Sequence, residues 1–88
     1  MATVLITGTN RGLGLQFVKH FLKQGDQVVA TCRDSSQAPE LLALDETNTS
    51  LSLMNVDVSD EQSIASFAFA LGDTAIDIFI NNAGVYGP

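Results

Sequence analysis

A glycine-punctuated run, Thr7-Gly8-Thr9-Asn10-Arg11-Gly12-Leu13-Gly14, joins the apolar stretch Val4-Leu5-Ile6 to a segment with helical periodicity. No other feature of the sequence limits the fold as strongly. A strand that breaks through glycines into a helix start exposes backbone N–H groups, and the positive end of the helix dipole points at them. Glycine lets an anion approach that backbone closely, so the arrangement suits a phosphate group. The weaker alternative for the motif by itself is that these glycines serve only as tight-turn residues.

The rest of the chain decides between these. Residues 2–7 read as a first strand. From Leu13 to Gln24 the apolar positions Phe17, Val18, Phe21 and Leu22 repeat at helical spacing, with Lys19, Lys23 and Gln24 off that face. Gly25 sits where a helix C-terminal glycine is expected. Gln27 to Cys32 predicts a second strand, and Pro39 opens a short helix through Leu44. Residues 45–50 form a polar loop, and Leu51 to Val56 a third strand. Ser59 and Gln62 have capping-box spacing ahead of a stripe of Ile64, Phe67, Ala68 and Leu71, which Gly72 closes. Ile76 to Ile80 is the fourth strand. Strands alternating with helices predict a parallel α/β sheet with right-handed crossovers. The phenylalanines Phe17, Phe21, Phe67, Phe69 and Phe79 are expected in its core.

Composition excludes several functions. Ten acids against four bases give a net charge of −6, and no basic stripe is present to neutralise a nucleic-acid backbone. No apolar run approaches the ~20 residues of a membrane span. The N-terminus lacks the pattern of a signal peptide. Cys32 is the sole cysteine, which rules out an internal disulfide and suggests a reducing, cytoplasmic setting. It reads as a packing residue, because no base adjoins it. His20 lies among lysines with no second histidine, which leaves no metal site to expect.

The glycine spacing departs from the common dinucleotide fingerprint, since Phe17 stands where a third glycine would fall. The run resembles instead the Thr-Gly-x-x-x-Gly-x-Gly motif of the short-chain dehydrogenase/reductase family. Asn81-Asn82-Ala83-Gly84, after the fourth strand, matches that family's Asn-Asn-Ala-Gly motif. Asp57-Val58 follows the third strand, where the family sets an aspartate against the adenine amino group and a small apolar residue beside the ring. The resemblance covers Thr3 to Gly84. With Asn-Asn-Ala-Gly-Val-Tyr-Gly-Pro closing the chain, it looks like the carbonyl-reductase subgroup that includes sniffer and the bacterial C-factor.

The resemblance implies a Rossmann-type doubly wound sheet of order 3-2-1-4 and a nicotinamide dinucleotide bound at its carboxyl edge. Gly8, Thr9, Asn10, Arg11, Gly12, Leu13 and Gly14 are the expected cofactor residues of the first turn. Asp57 and Val58 belong to the adenine end, and Asn81, Asn82, Ala83 and Gly84 to the crevice between strands one and four. Asn81 and Asn82 are also able to bond backbone, which would stitch strand four to its neighbours. An NAD site places an acid at the end of the second strand, yet Cys32-Arg33 stands there, with Asp34 expected to point elsewhere. Arg33, with Arg11, suits a 2′-phosphate, so NADP(H) is expected over NAD(H). The bland alternative makes each a solvated surface arginine.

The family's catalytic Ser and Tyr-x-x-x-Lys have no counterpart in these 88 residues, and Tyr86 lacks the lysine four places on. No catalytic residue is therefore expected here. Residues 1–88 read as the N-terminal, cofactor-binding part of a larger domain, cut after the fourth strand. The apolar fourth strand would otherwise be an exposed edge blunted only by Asp77, and the isolated piece is expected to fold weakly. The expected activity is hydride transfer between NADP(H) and a small carbonyl or alcohol, with any self-association made through parts outside these residues. The alternatives are a non-catalytic nucleotide-binding or signalling protein on the same fold and an inactive truncated product.

Overall fold

The computed structural model describes residues 2–9, 12–57 and 59–82. Along them run β1 (Thr3–Ile6), α1 (Gly12–Lys23), β2 (Gln27–Cys32), α2 (Pro39–Thr47), β3 (Leu51–Asn55), α3 (Glu61–Leu71) and β4 (Ile78–Ile80). A 3-10 turn over Ser35–Gln37 separates β2 from α2. The strands are parallel in the order β3-β2-β1-β4, the doubly wound Rossmann-type arrangement expected from the motifs.

Register sorts the side chains onto two faces. Ile80, Ile6, Ala30 and Leu53 form one row across the sheet, and Ile78, Val4, Val28 and Leu51 the next. Both rows share a face because strand side chains alternate with period two. Helices α1 and α2 cover it with Leu15, Val18 and Leu41. Val4, Ile6, Val18 and Leu41 are fully buried, each contributing about 1.5–3 kcal/mol relative to exposure. The β3-to-β4 crossover runs in the reverse direction, so α3 belongs on the opposite face. There Ala70 and Leu71 share a groove with Val29, Ser52 and Met54. Reversal of the winding between β1 and β4 opens the crevice at their carboxyl ends.

Carboxylates pin the amino ends of the strands. Asp77 Oδ2 accepts from the Thr3 N–H at 2.8 Å, and the Asp77 N–H donates to the Thr3 carbonyl at 2.9 Å. The charge that interrupts the apolar run around β4 therefore fixes the β1–β4 register.

Several boundaries differ from the sequence expectation. β1 is two residues shorter than the span 2–7, β3 stops at Asn55, and β4 begins at Ile78. α1 starts at Gly12 and ends at Lys23, one residue earlier at each end. α2 runs on to Thr47, because its end is set by Asn48, whose N–H and Nδ2 both bond the Leu44 carbonyl. The Ser59–Gln62 capping box does not form. Asp57 captures the Ser59 hydroxyl, and Asp60 caps α3 by accepting from the Gln62 N–H at 3.0 Å.

None of the five phenylalanines expected in the core belongs to it: Phe17 and Phe21 are partly buried against it, Phe67 is half-buried on α3, and Phe69 and Phe79 are exposed. Phe69 is 88% exposed, since it sits two residues, about 200°, from both Phe67 and Leu71, the half-buried positions of α3. Phe79 is 58% exposed because it lies on the α3 face of edge strand β4, beyond the strands that α3 covers. Ile64 is likewise 43% exposed. Cys32 is buried in the core cluster as a packing residue. His20 is exposed and meets Phe21 edge-on at a ring-centroid distance of 5.2 Å.

Candidate functional site

The turn between β1 and α1 uses its glycines for two different reasons. Gly8 and Gly12 have φ of 65° and 62°, the left-handed region that disfavours residues with a Cβ. A Cβ on Gly12 would meet nothing within 4 Å, so its need is purely conformational. Gly14 is buried, and a Cβ there would collide with the Gly8 carbonyl oxygen and lie 2.7 Å from Asn82 Nδ2. Its need is for space. The turn is thereby folded back tightly on the first turn of α1, whose N–H groups lack intrahelical acceptors.

Side chains hold this turn from beneath and from one side. Thr9 is fully buried, and its hydroxyl and backbone N–H both donate to the Thr31 carbonyl, at 2.9 and 3.1 Å. These two bonds anchor the loop to β2. From the other side Asn82, 6% exposed, donates from Nδ2 to the Gly8 carbonyl at 3.0 Å. The Thr7 hydroxyl donates to Asn81 Oδ1 at 3.1 Å, and the Thr7 N–H to the Ile80 carbonyl at 3.0 Å. Asn81 and Asn82 thus stitch the end of β4 to the glycine turn across the crevice. Thr7 opens the glycine run of the sequence, whereas Thr31 carries no signal there beyond that of a strand threonine.

A second cluster lies at the carboxyl ends of β2 and β3. Arg33 has an 83% exposed side chain, with Nε 3.8 Å from Asp57 Oδ2. Asp34 points elsewhere, as expected: Oδ1 accepts from Ser36 Oγ at 2.6 Å and the Ser36 N–H at 3.0 Å. Those bonds, the hydroxyl first, hold its carboxyl below the ordinary range. Asp57 repeats the pattern with Ser59, again at 2.6 and 3.0 Å. Its pKa is lowered chiefly by the Ser59 hydroxyl and N–H, with Arg33 adding to the effect. Asn55 Oδ1 accepts from the Ser35 N–H at 2.8 Å, joining the loop after β2 to the end of β3. Asn55 belongs to none of the sequence motifs, although a polar residue ending an apolar strand is a usable signal.

Of the remaining expected site residues, Leu13 is 61% exposed on the first turn of α1. Asn10, Arg11, Val58, Ala83 and Gly84 lie outside the described residues.

The residues present fit a dinucleotide. The glycine turn, packed so closely that Gly14 has no room for a methyl, lies at the switch point, and a cation rather than an acid ends β2. The fold these features sit on defines a Rossmann-type α/β protein. The chain belongs to the short chain dehydrogenase family, whose profile matches residues 2–88. It is 43% identical over 93 residues to a short chain dehydrogenase, gsfK, of Penicillium aethiopicum, covering 99% of this chain and 37% of that protein. Retinol dehydrogenase 12 of Bos taurus is 38% identical over 88 residues, with 93% of this chain and 28% of the relative covered. This chain therefore spans about a third of the length of these relatives. Among solved structures, a carbonyl reductase from Pseudomonas aeruginosa in complex with NADP superposes with a TM-score of 0.89 at 38% identity, covering 100% of this chain and 40% of that one. The carbonyl reductase Sniffer of D. melanogaster gives 0.76 at 30% identity over 93% of this chain and 36% of its own. Among the described residues, no helix is long and apolar enough to cross a membrane.

Proposed function

We propose that this chain is the cofactor-binding N-terminal portion of an NADP(H)-dependent oxidoreductase acting on a small carbonyl or alcohol. The observation that carries the cofactor preference is the end of β2, where Arg33 is exposed and Asp34 is turned onto Ser36. An acid free to take a ribose 2′-hydroxyl would favour NAD. A guanidinium there favours a 2′-phosphate, and one charge-assisted hydrogen bond of about 1.5–3 kcal/mol is worth roughly tenfold or more. NADP is the ligand named for the Pseudomonas aeruginosa carbonyl reductase and for a similar protein of Burkholderia multivorans.

In this reading the bound nicotinamide supplies or accepts the hydride, and the residues of this chain bind and orient it. Gly8, Gly12, Leu13 and Gly14 receive the pyrophosphate at the start of α1, with Thr9 fixing their turn and Asn10 beside them. Arg11 and Arg33 hold the 2′-phosphate. Asp57 and Val58 border the adenine, and Asn81 to Gly84 line the crevice toward the nicotinamide. The segment by itself contributes binding without turnover, and the buried thiol of Cys32 suits a cytoplasmic setting.

The test uses the full-length protein. Arg33→Asp should lower the ratio of kcat/KM for NADPH over NADH by about tenfold or more. An unchanged ratio overturns the cofactor assignment.

A further inference from the structure

The last ladder bond between β2 and β3 runs from the Val56 N–H to the Cys32 carbonyl at 2.8 Å. Beyond it the two chains separate, and Arg33 is the first residue past the ladder. An exposed arginine on a loose loop would sample many positions, and a ligand would have to order it at an entropic cost. Here the loop is not loose. Asn55, paired with Cys32 in the sheet register, extends the ladder with its side chain by accepting from the Ser35 N–H at 2.8 Å. Arg33 is thus held between two fixed points, Cys32 on one side and Ser35 on the other. The facing loop is equally constrained, since the Asp57 N–H donates to Ser63 Oγ at 2.8 Å and the Asp57 carboxylate is bound by Ser59.

We propose that Asn55 is a positioning residue for cofactor selectivity, presetting Arg33 for the 2′-phosphate by tying the Arg33–Gln37 turn to the end of β3. This rests on the NADP(H) reading above. The chemistry of the side chain fits the task. An amide oxygen accepts the Ser35 N–H without charge, whereas a carboxylate would add a third anion beside Asp34 and Asp57 where a phosphate has to bind.

The test is a double-mutant cycle in the full-length protein, with adenosine 2′,5′-bisphosphate and AMP as calorimetric probes. Asn55→Ala should weaken the bisphosphate about three- to tenfold, the worth of one ordinary hydrogen bond. AMP affinity should change less than about twofold, and kcat at saturating NADPH should stay as in the parent while KM rises. In an Arg33→Ala background the same substitution should have almost no further effect, because its route to the phosphate is gone. Asn55→Ser, with a side chain too short to reach Ser35, should reproduce the loss should the alanine variant fold poorly. Equal weakening of both probes, no weakening, or an undiminished effect in the Arg33→Ala background would overturn the role of Asn55 alone. Unchanged bisphosphate affinity in Arg33→Ala itself would overturn the cofactor reading, and this inference with it.

Discussion

Gly14→Ala isolates the steric requirement of the glycine turn from its conformational one. Gly14 is a residue of α1 and is not among the positive-φ glycines, so its backbone accepts alanine. Judged by propensity alone, the change should stabilise the helix by about 0.8–1.0 kcal/mol. The added methyl, however, would strike the Gly8 carbonyl oxygen and come within 2.7 Å of Asn82 Nδ2, displacing the 3.0 Å bond between those two groups. Overpacking costs about 1–3 kcal/mol, and loss of the Asn82 bond another 0.5–1.5 kcal/mol or so. The net effect is a destabilisation of about 0.5–3.5 kcal/mol, opposite in sign to the propensity term. Urea denaturation of the full-length protein would measure it, and NADPH calorimetry should show weakened binding because the turn must open. Truncating Asn82 as well should not restore the loss, since the principal obstacle is a backbone carbonyl. A Gly14→Ala protein as stable as its parent, with unchanged NADPH affinity, would refute the reasoning. Gly12→Ala is the contrast, costing about 1–2 kcal/mol through its left-handed φ with no collision.

Other outcomes follow from the titrating groups. Asp34 and Asp57 should titrate by NMR below the ordinary carboxylate value of about 3.9, with Ser36→Ala raising only Asp34 and Ser59→Ala only Asp57. Because both folded values are depressed, their contribution to stability is present above the unfolded carboxylate range and is lost as pH falls through the folded values. A Ser36→Ala protein in which Asp34 still titrated low would count against the hydroxyl as the main cause. Burial pushes the Cys32 thiol up, a backbone hydrogen bond from Asp34 pulls it back in part, and the Asp34 charge raises it again. The folded protein should therefore react with iodoacetamide at pH 8 far more slowly than the denatured chain, and equal rates would contradict the buried placement.

Local signals in the sequence located elements better than they located ends. Gln27–Cys32 and the Pro39 start coincide with β2 and α2, because a β-branched run and a helix-opening proline act within a few residues of themselves. The end of α2 and the cap of α3 did not follow from apolar periodicity. They depend on which side chain captures which backbone group, and Asp57 competes successfully for Ser59. Apolar periodicity does not mark the 3-10 turn either, although Asp34-Ser35-Ser36 carries the Asx-turn chemistry that closes it.

What the sequence determined by itself is the α/β order of elements, the glycine turn and the family, each encoded in residues that are neighbours along the chain. The distinct purposes of the glycines were decided only in three dimensions. Gly12 is needed for its own backbone, but Gly14 is needed because Asn82, at the far end of the sequence, closes on Gly8. The same holds for Arg33, whose position depends on Asn55 across the sheet. Contacts of this kind join residues 20 to 74 places apart. Their geometry exists only once the sheet has set its register, and no local pattern specifies it.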